Sequence, residues 1–288
     1  MGIVAACSSE DKDSEPQNPE PPAETRQEVK LLTRAEDEMI GTVKAGLYMV
    51  NYLSGEPDEL LPSNNYVNNQ LLTWNQGAWA TATPIYWSDM DTPADFYAYA
   101  PYVSEVTDAR KMAFSVSADQ RTDEAFAQSD LLRGSVPGQS PTATDFDLTL
   151  QHQLSRLTVK VTADAGFADG ELLVGDVSVT IGGTCTAASV DLQTAAITLV
   201  EDSRADVQCH SNGDLSYTAI LLPQQVPFAN LIQVDWQGNK YILQNTFTLE
   251  ARRQYTLTVK LKKTKSGFDI GIEGWDIIPE DFGGTIGG

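Results

Sequence analysis

Along most of the chain, apolar residues recur at every second position. Phe96, Ala98 and Ala100 fall on one face of a segment whose other face carries Tyr97 and Tyr99, and Val177, Val179 and Ile181 alternate with polar neighbours. Leu157, Val159 and Val161 alternate with Thr158, Lys160 and Thr162, as Tyr255, Leu257, Val259 and Leu261 do with Thr256, Thr258 and Lys260. A period of two places successive side chains on opposite faces, so these runs predict antiparallel strands with one buried and one wet face. Ile232, Val234 and Trp236 lead into Gln237-Gly238-Asn239 and return through Tyr241 and Leu243, which predicts a hairpin. Gly, Pro, Asn and Ser clusters separate the runs and no helical pattern is sustained, which favours paired sheets over an α/β design. Near the start, Val29, Leu31 and Thr33 predict a first strand over Glu28 to Thr33. A helix from Val29 to Met39 competes, because Leu32, Glu36 and Met39 sit at helical spacing, but Arg34 to Glu38 supply no second apolar row.

The parity of the apolar face changes once. Phe146, Leu148, Leu150, His152 and Leu154 occupy even positions, whereas Leu157, Val159 and Val161 occupy odd ones. A bulge or a crossing between domains produces such a switch. A chain of 288 residues suits two domains, with one large barrel as the alternative. The reading is therefore a tether over 1–28, a first sandwich over 29–150 and a second over 151–288, all-β throughout.

Charge narrows the function classes. Lys and Arg total 19 against 40 Asp and Glu, a formal charge of −21, which gives no footprint for phosphate backbones, so nucleic acid is excluded as a partner. No run approaches the roughly 20 apolar residues of a membrane helix. From Ser8 to Glu28 four prolines and seven acids make an extended, disordered tether. Ahead of it, Val4-Ala5-Ala6-Cys7 resembles a lipobox, in which Cys7 is acylated and anchors an exported protein to the outer membrane. Only six residues precede Cys7, fewer than a signal needs, which places the start of the sequence inside a longer leader.

Catalytic designs are poorly served. The two histidines are His152, on an apolar strand face, and His210, beside Cys209 with no further ligands for a closed metal site. No nucleophile elbow, zinc-protease pair, P-loop or dinucleotide fingerprint occurs, and neither an enzyme, a metal nor a cofactor is expected. Asp89, Asp91 and Asp95 read as a solvated loop rather than a calcium site, because Pro93 takes a ligand position. If exported, Cys185 and Cys209 are able to close one disulfide worth about 3 kcal/mol, and two free, buried thiols are the alternative. Trp74, Trp79, Tyr86, Trp87, Phe96, Tyr97, Tyr99 and Tyr102 crowd one stretch, as core or as a surface platform for sugar rings or a partner protein.

Several segments, taken in order, are similar to the fimbrillin family, the Mfa-like, type V pilus lipoproteins of Bacteroidales. They are Trp79 in a G-x-W turn, Asp95 to Tyr102, Gln128 to Leu132, Leu150 to Val161, Ala219 to Gln224, Tyr255 to Val259, and Ile272 with Trp275. Where many members continue after Leu132 with an aromatic and Ala, this chain has Arg133-Gly134. The resemblance implies two transthyretin-like antiparallel β-sandwich domains in tandem, export as a lipoprotein, and assembly with other fimbrial subunits into surface fimbriae by strand exchange. It also implies maturation by an Arg-specific protease, with Arg34 followed by Ala35 as the matching site and Arg26 in the tether as the runner-up.

The residues support this independently. A first strand cut free at Arg34 leaves an open edge and an apolar trough, a template for another chain's strand. Burying about four donor side chains yields on the order of 6 to 12 kcal/mol before ordering costs. The tail beyond Trp275 is too sparse for a settled core strand and is expected to act as donor, with Ile278, Phe282 and Ile286 facing the trough; a frayed end is the alternative. The rival function is a surface lipoprotein adhesin that never polymerises and binds a glycan or a host or bacterial surface receptor.

Overall fold

The computed structural model describes residues 27–35, 44–53, 55–75, 78–142, 144–264, 267–270 and 280–281. The first half holds β1 (Leu31–Ala35), β2 (Lys44–Asn51), β3 (Val67–Asn75), β4 (Ala78–Thr81), β5 (Ala94–Ala100), β6 (Met112–Ser115), the helix α1 (Asp123–Gln128), β7 (Leu132–Gln139) and β8 (Phe146–His152). The second holds β9 (Ser155–Ala163), β10 (Val177–Cys185), β11 (Ala187–Val190), β12 (Ile197–Leu199), β13 (Arg204–Gln208), β14 (His210–Gly213), β15 (Ser216–Leu221), β16 (Gln224–Trp236), β17 (Asn239–Leu249), β18 (Arg253–Thr264), β19 (Gly267–Ile270) and β20 (Glu280–Asp281). The all-β reading holds. The first strand is extended rather than helical, since Leu31 to Ala35 pair residue by residue with Phe146 to Leu150.

Two sheets of the second half share one core. The order β13-β10-β16-β17 in one and β14-β15-β9-β18-β19 in the other brings Leu157, Val159 and Val161 against Ile181, Val234 and Trp236. Gln237 and Gly238 both adopt positive φ, at 49° and 81°, which gives the two-residue turn of the hairpin the twist its strands require. One expectation fails here: β9 and β18 run parallel, as do β1 and β8. Each pair is separated by a long stretch of chain, which a parallel pairing demands and a tight turn cannot supply.

The first half departs from a self-contained sandwich. Its seven strands follow the order β1-β8-β7-β5-β2-β3-β4 and curl around a core of Leu47, Met49, Trp87, Phe96, Leu148 and Leu150. The opposite face of the same sheet packs Tyr48, Tyr97 and Tyr99 against Ala188, Val190, Leu192, Ile220 and Leu222 of the second half. A three-stranded sheet, β12-β11-β6, takes strands from both halves. The change of parity has a direct origin: β8 faces the curled core, Leu154 enters the shared core, and β9 faces the second-half core.

Candidate functional site

The curled sheet is closed by the segment that begins at Gln27. The Trp87 N–H donates to the Gln27 carbonyl at 2.9 Å and the Val29 N–H to the Ile85 carbonyl at 2.8 Å, with Glu28 bridged to Tyr86 between them. Two residues later the chain turns its bonding to the other side. The Phe146 N–H donates to the Lys30 carbonyl at 3.2 Å, and β1 then runs along β8 as the last strand of the sheet. Residues 27–35 therefore span the gap between the stretch after β4 and β8.

Beneath this segment lies an aromatic floor. The Trp87 and Phe96 rings meet edge to face at 5.5 Å and Phe96 and Phe146 at 4.8 Å, within the range that favours tilted pairs. Val29 is buried in the same core and Leu31 packs against it, with Lys30 between them exposed, as alternation requires. Lifting the segment away takes Val29 and Leu31 out of the core that holds Trp79, Ile85, Trp87 and Phe146 and leaves unpaired backbone on both flanks, at about 1.5 to 3 kcal/mol for each large apolar side chain re-exposed. Arg34 and Ala35 are the last two residues of β1, opposite Thr149 and Leu150. Cys7, Trp275, Ile278, Phe282 and Ile286 lie outside the described residues.

The remaining chemistry is structural in its placement. His152 Nδ1 lies 2.8 Å from an Asp130 carboxylate oxygen, a partner that its strand position did not reveal. His210 stacks on Phe126 of α1 at 4.9 Å, with Nε2 3.7 Å from Asp123. Among the described residues no group of three or more His, Cys, Asp and Glu is placed to hold a metal. Asp89 accepts from the backbone of Asp91 and Thr92 and closes its own turn, which holds its carboxyl below the usual range, the Thr92 hydroxyl contributing most. Asp95 is separate from that loop: it is buried and accepts from the Tyr52 hydroxyl at 2.5 Å, the Tyr97 hydroxyl at 3.1 Å and the Gly138 N–H at 2.7 Å. Trp79, Trp87, Phe96, Tyr97 and Tyr99 are buried, so these five serve as core and not as an exposed platform.

Of the two readings of the cysteine pair, a disulfide or free buried thiols, the structure has the second. Cys185 and Cys209 are free, buried thiols. Cys185 sits opposite Arg204, whereas Cys209 follows the far end of the same strand and donates its N–H to the Val179 carbonyl at 2.9 Å. Five steps along a strand are on the order of 16 Å, against the roughly 4.4 to 6.8 Å between Cα atoms that a disulfide spans. Burial pushes both thiols up, away from the reactive thiolate.

A fimbrillin-like family model matches residues 33–275. The chain belongs to the fimbrillin-like family. Solved structures give the fold of this fimbrillin-like protein the same setting. A candidate cell adhesion protein from Bacteroides uniformis superposes with a TM-score of 0.64 at 20% identity, over 91% of this chain and 99% of that one. A second, from Bacteroides ovatus, gives 0.62 at 16% identity over 89% and 100% of the two chains. A fimbrial protein from Bacteroides vulgatus gives 0.51 at 13% identity over 90% and 100%. No curated protein matches the sequence.

The residues that join the halves of this fimbrillin-like chain escape sequence reading. Gln120 is fully buried, and its side chain pairs with one backbone unit of the second half, accepting from the Ile220 N–H at 2.9 Å and donating to the Ile220 carbonyl at 2.8 Å. Arg133 donates to the carbonyls of Leu192 and Gln193 at 2.8 and 2.6 Å and lies over the Tyr97 ring. Gly134 beside it is required by close approach, because a Cβ there would sit 2.2 Å from the Thr149 carbonyl oxygen. Arg110 grips both carboxylate oxygens of Asp191 at 3.1 and 3.0 Å. The only sequence signal was the unusual Arg-Gly pair after Leu132.

Proposed function

We propose that this protein is a structural subunit of a surface fimbrium, assembled when its closing segment is removed and the strand of another subunit takes its place. The observation that carries the reading is the segment 27–35, bonded to the sheet on both flanks above an aromatic trough and ending in a single Arg-Ala step. A strand held in this way is separable from the rest of the fold, because the other strands of the sheet pair without it. Removal leaves a template for strand addition. Family membership and the fimbrial and adhesion proteins of similar fold support a role at the cell surface, and the two sheets of the second half over one core support a transthyretin-like unit there.

In this reading Cys7 carries the lipid that holds the precursor at the outer membrane. Cleavage follows Arg34, and the C-terminal tail, through Ile278, Phe282 and Ile286, is the strand donated to the neighbour. Partners are other fimbrial subunits, with adhesion to a host or bacterial surface as the outcome of assembly. The test is Arg34→Ala in the full-length exported protein. The variant is expected to remain a full-length monomer at the cell surface, read by mass spectrometry and by loss of high-mass polymer on gels. Polymer at the wild-type level overturns the processing site, and polymer whose subunits retain residues 27–34 overturns the exchange mechanism.

A further inference from the structure

A fimbrium brings together copies that each carry a formal charge of −21, within a Debye length of about 8 Å at physiological ionic strength. Such copies repel, so contacts form where opposite charge is available. The fold collects cations on one sheet face. Since Leu157, Val159, Val161, Leu257, Val259 and Leu261 point into the second-half core, the even-numbered residues of the parallel neighbours β9 and β18 form the opposite face. Its open end carries Lys160, Lys260 and Lys262 among threonines 162 and 258, with no carboxylate on either strand and Asp269 of β19 opposite Lys262, while Thr158 and the Arg156 Nε are buried. Lys160 stands opposite Thr258 and Lys260 opposite Thr162, so the two are diagonal neighbours. Lys262 is taken by Asp164 at 3.4 Å, and Lys260 acts on the same carboxylate from further off, so Lys160, which is exposed, and Lys260 are the charges left to meet a partner.

The complementary surface lies at the far end of the first half. The Tyr52 N–H donates to the Pro93 carbonyl at 2.9 Å, Ala94 stands opposite Gln139, and Asp95 binds both Tyr52 and Gly138. The loops 52–58, 88–93 and 139–145 therefore share one end of the curled sheet. They contain Glu56, Asp58, Asp89, Asp91 and Asp145 and no Lys or Arg. The same loops expose Leu53 and Met90, at 84% and 58%, which adds apolar contact to a charged surface.

Resting on the fimbrial reading, we infer that the β9–β18 face of one copy docks on the carboxylate-rich end of the next copy's first half. The two surfaces differ, so the contact is head-to-tail and propagates. It is separate from the trough and guides copies into register before strand exchange, as charge complementarity does elsewhere by raising encounter rates. The experiment follows polymerisation of the processed full chain by light scattering in 0.15 M and 1 M NaCl. Lys160→Glu with Lys260→Glu, and separately Glu56→Lys with Asp91→Lys, are expected to slow assembly about tenfold at the lower salt with an unchanged melting temperature. The quadruple variant, whose surfaces are again complementary, is expected to recover the wild-type rate. Double variants that assemble at the wild-type rate, or a quadruple no faster than the doubles, overturn the docking while leaving the fimbrial reading intact. A wild-type chain that never assembles overturns both.

Discussion

Strand β5 is buried on both faces, whereas β18 buries one face and leaves the other half-buried. All seven residues of β5 are covered: Phe96, Ala98 and Ala100 by the curled core, Tyr97 and Tyr99 by the core shared with the second half. In β18, Tyr255, Leu257, Val259 and Leu261 are buried, while the alternate residues are threonine, glutamine and lysine. Both strands have the same period of two, and what separates them is the kind of residue on the second face. A tyrosine in that place buries a ring while its hydroxyl finds a partner. Tyr97 donates to Asp95, and Tyr99 donates to Asn69 at 2.8 Å, with burial pushing the Tyr99 hydroxyl up to about 12. Threonine and lysine need no such partner in water. An alternating strand rich in tyrosine therefore marks a layer between two cores.

The sharpest way to break this comparison is to truncate one position on each strand. Phe96→Ala is expected to cost about 3 to 5 kcal/mol and Thr256→Ala less than about 0.5 kcal/mol, measured by urea unfolding. Similar costs at the two sites would show that Phe96 does not sit in a packed core. A smaller effect tests the cover itself: Gln120→Ala strands the buried N–H and carbonyl of Ile220 and is expected to cost about 2 to 3 kcal/mol. A loss under about 0.5 kcal/mol would mean that the halves do not rely on this pairing.

The smallest expected effect concerns the surface near the same seam. Hydrogen bonds from the Arg121 side chain are the main cause holding Asp119 down at about 2, from an ordinary value of 3.8. Because its folded pKa is depressed, the contribution is fully present above about pH 4 and disappears as pH falls through about 2. The carboxylate side chain is half exposed, so solvent screening reduces it to below about 0.5 kcal/mol. Asp119→Asn compared with wild type at pH 6 and below pH 2 measures it, with the difference expected only at the higher pH.

Local order was legible where period and turn chemistry agree. The β16–β17 hairpin follows from its Gln-Gly turn, and the parity switch before Leu157 falls where the chain passes from the first sheet to the second-half sandwich. Strand partnership was not legible. Nothing in Tyr255 to Leu261 specifies a parallel neighbour a hundred residues earlier, because alternation fixes a face and not a partner. At the candidate site, the alternation of Val29 and Leu31 announced a strand, but the pairing of 27–29 with 85–87 depends on residues with no marked pattern. Gln120 and Arg133 act through backbone carbonyls and N–H groups, which every residue carries, so no sequence motif could point to their partners.

The three-stranded sheet has a consequence for biogenesis. Ala113 of β6 pairs with Ser189 of β11, about 75 positions later in the chain. A ribosome or an export channel delivers the first half well before that partner exists, and until Ile220 and Leu222 emerge the tyrosine face of the first sheet has only first-half residues such as Leu60, Met112 and Phe126 to cover it. Loop closure across such a separation is slow and leaves apolar surface open in the meantime. Completion of the first half is thus timed by delivery of the second, and the shared core closes only when about residue 222 has arrived.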